Sequence, residues 1–501
     1  MKFNLPKEVL DIAGILQKDG CQAFLVGGCL RDLILERKPK DWDIATDAEP
    51  TTVLKLFETF NGRTKKDPAT VYENNFGTVG IKTGSDIQEL KIIEVTTFRI
   101  EGKYTDKRHP DEVKFAKTIE EDLARRDFTM NAIALNLLTY NLKLTDDLID
   151  PFDGLTDIGK KIIRTVEDPE RRFEEDALRL MRATRFYADL GFDIEEKTMR
   201  AIKDKAGLLE MISEERVRDE IQKMIMTPRA AGGIIMLEDT GLLRYVIPEL
   251  REGIGCGQNK HHIYTVFDHN VRALNYTAEK NYSFIVRLAS LLHDVGKPKT
   301  KRGEGENSTF YNHEVVGAKM TVRILDRLKF PKDIVEQVTH LVRHHLFYYN
   351  VGEVTEAGVR RFLNRVGPEY IDDLIKVREA DRIGSGVPKA FPYKLRHLLF
   401  MIEKVKHDPI HPKMLKINGN DLMSILKIEP GPKVGMILYV LLEDVLDDPK
   451  RNTEEYLRER AKELGGLSEK ELKKLSKKAQ EKKDEAESGI EEEMKKKYYV
   501  K

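Results

Sequence analysis

Apolar positions in the first hundred residues fall in short runs rather than long helical stripes. "CQAFLVGG" (21–28) is a brief apolar run that stops at two glycines, which predicts a strand, and "CLRDLILERK" (29–38) is spaced as a helix. "DWDIAT" (41–46) then alternates as a strand, so Asp41 and Asp43 share one face while Trp42 and Ile44 point to the other. "GTVGIK" (77–82) and "KIIEVTTF" (91–98) read as two more strands, the second carrying Glu94 among residues that otherwise suit a core. From about Asp157 onward the pattern is helical and stays so, which makes the chain α+β.

Composition narrows the classes. With 501 residues, the chain has room for three or four domains. Lys+Arg and Asp+Glu are equal at 85 each, so any surface for nucleic acid must be a local concentration of charge. Cys21, Cys29 and Cys256 form no C-x-x-C pair, which fits a reducing compartment and predicts no cysteine metal site. The N-terminal "MKFNLPKEVLDIAGIL" is amphipathic with acids inside it, and no run approaches about 18 apolar residues. The expectation is a soluble cytoplasmic protein. Eight of the twelve histidines fall between His261 and His345, marking a separate domain, and residues 465–501 form a mixed-charge tail expected to be a solvated helix or disordered.

Two adjacent carboxylates call for a cation. Asp41 and Asp43 would supply oxygen ligands for Mg²⁺, which can activate a hydroxyl and neutralise a departing pyrophosphate. Glu94 is either a third carboxylate or an edge-strand acid facing water. Gly27 and Gly28, between a strand and a helix, form either an anion site of bare backbone N–H groups or a plain tight turn; there is no G-x-x-x-x-G-K-[ST] loop. Arg31 could reach phosphates, oriented by Asp32. Asp176 and Arg179, three apart, are expected on one helix face beside a less polar stripe of Ala177, Leu178, Met181 and Thr184. Such a pair is either a surface ion pair or a base reader, in which the carboxylate accepts from the amino group and the guanidinium donates to the ring nitrogen of cytosine or adenine, and uracil and guanine are mismatched.

These stretches, in order, resemble one family. "LVGGCLRDLILERKPKDWDIA" (25–45) resembles the opening motif of the class II tRNA nucleotidyltransferases, the CCA-adding enzymes and their bacterial poly(A) polymerase relatives. "RRDFTMNAIA" (125–134) resembles their second motif and implies nucleotide contacts by Arg126, Asp127 and Asn131. "DPFDGLTDI" (150–158) resembles the head–neck hinge, "EEDALRLMRATRF" (174–186) the base-selecting motif with Asp176, Arg179 and Arg182, and "SEERVRDE" (213–220) the neck-supporting motif. With "LKINGNDLM" and "PGPKVG", the resemblance extends to about residue 460. It implies a mixed α/β nucleotidyltransferase head followed by helical domains, binding of tRNA, CTP and ATP, and catalysis by Asp41 and Asp43 with Mg²⁺, with Glu94 as the candidate third catalytic carboxylate.

"EGKYTDKRHPDEVKF" (101–115) resembles the loop found in A-adding members, "NNFGTVGIK" (74–82) resembles a strand of the CCA enzymes with Phe76 where histidine is frequent, and "FNGRTKKDP" (60–68) lacks the R-R-F character of the poly(A) polymerases. CCA addition therefore leads, with poly(A) synthesis and A-only addition as alternatives. In "LASLLHDVGKPKT" (288–300), the pair His293 and Asp294, together with His269 and Asp381, resembles the metal set of HD-superfamily phosphohydrolases. His313, His344 and His345 are candidates for a second metal, and the mixed imidazole–carboxylate set suits Mn, Fe, Co or Ni. A reading of another class makes the chain an RNA-binding HD phosphohydrolase with a non-catalytic head.

The expected domains are a head at 1–156, a neck at 157–225, a body at 226–260, an HD domain at 261–385, a helical tail at 386–464 and a charged extension at 465–501. Lys416, Lys427 and Lys433 are candidate phosphate contacts to tRNA, read by shape through its backbone.

Overall fold

The structure, a computed structural model, describes residues 4–62, 69–72, 77–101, 113–137, 147–259, 263–406 and 415–500. The chain divides into two units: residues 1–345 with Lys376–Val387, and Leu346–Ile375 with 388–501.

The first unit opens with a seven-stranded mixed sheet. Its strands are β1 (Phe24–Val26), β2 (Asp43–Thr46), β3 (Thr70–Tyr72), β4 (Thr78–Lys82), β5 (Ile92–Thr97), β8 (Ala134–Asn136) and β9 (Leu148–Ile149), in the order β3-β4-β5-β2-β1-β8-β9. Two short strands, β6 (Arg99–Glu101) and β7 (Val113–Phe115), pair separately. Between them lie residues 102–112, so most of the loop assigned to A-adding members is outside the described residues, as are Phe76 and most of "GRTKKDP".

Strand β2 is central. It runs antiparallel to β1 and parallel to β5, in a register that sets Asp43 against Glu94, Ile44 against Val95 and Ala45 against Thr96. Period-2 alternation then decides what each face does. Ala45 and Phe98 lie on the same face as Asp43 and Glu94 and pack with Phe24, Val26, Ile119, Leu123 and Val166 into a core, so the two acids stand side by side at the start of β2 on the face that this core occupies further along.

After the hinge, helices dominate as expected, with one exception. Ile162–Ile163 (β10) and Asp193–Ile194 (β11) form a small parallel pair that returns the neck to one place after the helix Leu178–Leu190. Two isolated dipeptides are too short to announce a strand by periodicity.

The second unit has its own core. Leu422, Ile437, Leu441, Leu457 and Leu464 are buried in it, and Leu472 of the C-terminal extension joins them. The extension is a 30-residue helix, Glu469–Tyr498, started by a capping box between Ser468 and Glu471. It is not simply solvated: Leu472, Ser476 and Ala479, spaced four and three apart, are buried on one face. Three small or apolar positions in a Lys/Glu background suffice for one-sided packing, which charge composition concealed. Among the described residues, no helix is long and apolar enough to cross a membrane.

Candidate functional sites

The carboxylate patch is assembled at the mouth of the β1 turn. Gly27 has φ +76°, a left-handed conformation that side chains rarely adopt, and a Cβ there would lie 3.1 Å from both Arg126 Nη1 and Asp43 Oδ2. A Cβ at Gly28 would lie 3.7 Å from Arg31 Nη2 and 3.9 Å from Asp41 Oδ1. The two glycines thus keep bare backbone beside both acids and both arginines. Asp41 stands exposed just before β2, whereas Asp43 is half-buried within it. Burial, then Asp41, then Glu94 push the Asp43 carboxyl up to about 7, with Arg126 opposing. Three carboxylates that repel one another this strongly fit a cation site.

Behind the patch runs a chain of polar contacts. Arg31 donates to Asp32 Oδ1 (2.9 and 2.7 Å) and to Asn131 Oδ1 (2.8 Å); Asn131 Nδ2 donates to Asp127 Oδ1 (3.0 Å); Arg182 Nε donates to Asp127 Oδ2 (2.7 Å). Burial disfavours the Asp127 charge, but Arg182, Asn131 and Arg179 hold its carboxyl well below the ordinary range. Arg126 is fixed by Asp122, a buried acid that also takes Arg125. The expected residues Arg31, Arg126, Asp127, Asn131 and Arg182 are therefore brought together, and Asp122 is one that sequence reading missed.

The Asp176–Arg179 expectation needs correction. One helix, Pro169–Glu175, ends at Asp176 with extended backbone, and another starts at Leu178. Asp176 therefore sits in a break, not on a helix face. Its carboxylate takes both Nη atoms of Arg216 (3.2 and 2.8 Å), while Arg179 is 7% exposed and donates to Glu175 (2.9 Å) and to the carbonyls of Arg172 (3.1 Å) and Arg125 (3.0 Å). Ala177, Leu178, Met181 and Thr184 are buried in the neck core and line no surface stripe. Spacing alone missed Arg216, although it lies within the quoted "SEERVRDE".

The histidine-rich segment builds a second site. His269 comes from the helix Val266–Glu279, His293 and Asp294 follow the helix Phe284–Leu292, His313 starts the helix His313–Arg327, His345 follows Lys332–His344, and Asp381 is on Ile371–Gly384. His269, His293, Asp294 and Asp381 form one group, and Asp294, His313 and His345 another; the ligand atoms within each lie within 4.8 Å of one another. Asp294 Oδ2 faces His269 Nε2 (3.1 Å) and His293 Nε2 (3.4 Å), and its Oδ1 faces His313 Nε2 (3.3 Å) and His345 Nε2 (3.5 Å). Ligands at about 2.1 Å from one ion stand roughly 3.0 to 3.4 Å apart in octahedral or tetrahedral arrangement, so these separations suit two ions sharing one carboxylate.

Three of the rings are locked in the required tautomer. The Nδ1–H groups of His293, His313 and His345 donate to the carbonyls of Ser290 (2.8 Å), Phe310 (2.7 Å) and Val342 (2.7 Å), which leaves each Nε2 turned inward. Neither oxygen of the buried Asp294 accepts an aligned hydrogen bond, though Lys297 Nζ approaches Oδ2 at 2.5 Å. Burial opposes a charge on His293, yet Asp294 and Asp381 push it up to about 10, so the site attracts positive charge. Two glycines permit the close helix packing: a Cβ at Gly296 would lie 2.4 Å from the His313 carbonyl, and one at Gly384 2.8 Å from that of His269.

His344 does not join either group. It lies against His340 with ring centroids 4.6 Å apart and planes tilted by 56°, because adjacent helical residues point about 100° apart and His345 takes the inward direction. In the second unit, Lys433 Nζ donates to the Gly465 carbonyl (2.8 Å), capping a helix end; Lys416 and Lys427 are exposed.

Comparison with known proteins agrees with this layout. The family models for the poly A polymerase head domain, the probable RNA and SrmB-binding site of polymerase A and the HD domain match residues 23–164, 191–254 and 266–384. An A-adding tRNA nucleotidyltransferase of Deinococcus radiodurans is 36% identical over 346 residues, covering 66% of this chain and 76% of the relative. A CCA-adding enzyme of Enterococcus faecalis is 31% identical over 483 residues, covering 93% and 99%. The crystal structure of a Bacillus stearothermophilus CCA-adding enzyme in complex with CTP superposes with a TM-score of 0.57 at 29% identity, covering 91% of this chain and 96% of that one. Head and HD domains of these kinds generally use divalent metals. With a relative matched over 99% of its length, a head whose acids converge and an HD domain matched over residues 266–384, the chain belongs to the class II tRNA nucleotidyltransferases, the family of CCA-adding enzymes and bacterial poly(A) polymerases.

Proposed function

We propose that this chain adds C, C and A to the 3′ end of tRNA: the terminal 3′-hydroxyl attacks the α-phosphate of CTP and then ATP, and pyrophosphate leaves. The observation that carries this reading is the register of Asp43 opposite Glu94, with Asp41 two residues before and the bare backbone of Gly27 and Gly28 against them. Mg²⁺ held by Asp41, Asp43 and Glu94 would neutralise charge on the attacking and departing oxygens. Arg31 and Arg126 offer guanidiniums to the triphosphate, and the Asp127–Asn131–Arg182 chain fixes the wall beside it. Asp176 offers the acceptor for the amino group of cytosine or adenine, and a guanidinium beside it the donor for the ring nitrogen; uracil and guanine leave both mismatched. Lys416 and Lys427 are exposed cations available to the tRNA backbone, and we place the protein in the cytoplasm with that substrate. The six-domain division drawn from the sequence is retained as our reading, supported by the matched spans at 23–164, 191–254 and 266–384.

The test is incubation with tRNA transcripts ending at the discriminator base, in C, or in CC, followed by sequencing. Full CCA on the first transcript is expected. A-only addition, favoured by the similarity to the Deinococcus radiodurans protein, would extend only the CC-ended transcript. Runs of A would indicate poly(A) synthesis.

We also propose that the HD cluster holds two ions of Mn, Fe, Co or Ni and hydrolyses phosphoesters. The Asp294 carboxylate shared by two groups carries this reading. Such ions would activate water and polarise a phosphoryl oxygen. The test is elemental analysis together with hydrolysis of 2′,3′-cyclic phosphates. The head's intact acids weigh against a purely RNA-binding head.

A further inference from the structure

In the second unit, the segment 346–354 and the helices Glu356–Val366 and Tyr393–Lys406 line a half-open cavity of about 280 Å³. Four of its walls are the rings of Phe347, Tyr348, Tyr349 and Phe362, and its charged lining is Arg361 and Arg365, with no carboxylate among the lining residues. The walls are fixed: Phe347 packs on Phe362 with centroids 5.2 Å apart, and the Tyr349 hydroxyl is hydrogen-bonded to His397 Nδ1 at 2.5 Å. Tyr348, whose hydroxyl donates to Glu353 Oε2 (3.3 Å), is 75% exposed and offers a ring to solvent. Arg361 and Arg365 are one helical turn apart, where like charges repel. A site that keeps such a pair beside flat rings, with no carboxylate among its lining residues, suits an anion attached to a planar group.

We propose that this cavity receives one nucleotide of the bound RNA, its base against Tyr348 and its phosphate on Arg361 and Arg365. An acidic peptide would match the arginines and not the rings. A free nucleoside triphosphate is disfavoured by size, since sites that enclose small molecules run from about 300 to 1,000 Å³ and bury most of the ligand. A base reaching in from a longer chain needs only a shallow, half-open recess, and stacking of this kind tolerates any base. This inference rests on the tRNA-binding reading given above and adds a contact point to it.

The test uses the full chain and a fluorescent tRNA transcript ending at the discriminator base, titrated over a range of salt. Tyr348→Ala is expected to raise Kd about tenfold, and Tyr348→Phe to restore most of the loss. Arg361→Ala with Arg365→Ala is expected to lower the slope of log affinity against log salt by about one to two. Thermal melting of each variant checks that it is folded. Wild-type affinity and slope in the folded variants would overturn the proposal, as would loss of ATP or CTP affinity with tRNA affinity kept. Failure of the wild type itself to bind tRNA would instead defeat the underlying reading.

Discussion

Asp176 is gripped by Arg216, forty residues away in sequence, and not by Arg179, three residues away. The two guanidiniums therefore do different work. Arg216 aims the carboxylate, whereas Arg179 ties the helix Leu178–Leu190 to the carbonyls of Arg125 and Arg172.

That separation can be measured. Asp176→Ala and Arg216→Ala should both relax discrimination against UTP and GTP, by about tenfold or more, with little change in melting temperature. Arg179→Ala should lower stability by about 1–3 kcal/mol, because the Arg125 carbonyl loses its side-chain donor and the buried Arg172 carbonyl and Glu175 each lose one of their donors. Competition assays with the four nucleoside triphosphates, set beside melting curves, check both. Unchanged selectivity in Arg216→Ala would show that its ion pair does not aim the carboxylate.

Asp41→Asn and Asp43→Asn should each lower nucleotide addition by at least about a hundredfold and leave tRNA affinity nearly intact, since both supply oxygens to one charge-neutralising site. Glu94→Gln should do the same if the register against Asp43 makes it a third ligand. Single-turnover rates with separately measured tRNA affinity are the check, and a near-wild-type rate in any of the three removes that residue from the site.

The shared carboxylate makes the HD histidines unequal. Protein loaded with Mn²⁺, Co²⁺ or Ni²⁺ should carry two ions per chain, Asp294→Ala none, His345→Ala one and His344→Ala two, because His344 lies outside both groups. Elemental analysis reads the four numbers directly. Equal losses in His344→Ala and His345→Ala would contradict the assignment. All four proteins should keep nucleotide addition.

The buried link between Asp127 and Arg182 predicts a pH signature. The Asp127 carboxyl is depressed in the fold, so its stabilisation is fully present above its unfolded value of about 4 and is lost as pH falls toward the folded one. Asp127→Asn should therefore melt lower than wild type at pH 7, and the gap should narrow in acid. Melting curves at several pH values between 7 and 3 are the measurement; a constant gap would mean that the charge on Asp127 contributes nothing.

Much of this was readable before any coordinates. The D-x-D spacing marked Asp41 and Asp43, although the strand begins only at Asp43, and the apolar run around Glu94 marked a neighbouring strand, though only pairing register could set the exposed Glu94 opposite Asp43. His293 and Asp294 were legible because they are adjacent. The choice between His344 and His345 was not, since it depends on the rotation at one helix end. Arg216 left no local signal, because an ion pair across 40 residues has no local pattern, whereas Asp122 stands at the helical spacings of three and four from Arg125 and Arg126 and was legible in principle. The C-terminal extension was misjudged because a charged majority hid the few positions that pack.

The division of the chain has a practical consequence. Lys376–Val387, which carries Asp381, belongs to the first unit, yet the residues on both sides of it belong to the second. No single scission can part the two units cleanly. A fragment ending at His345 would retain the head, the neck and five of the six inward-facing ligands, but would lack Asp381. Excising the second unit would mean removing two stretches of chain and splicing the short segment back. Gene fusions, truncations or protease nicks near residue 345 therefore affect the histidine site before they reach the carboxylates of the head.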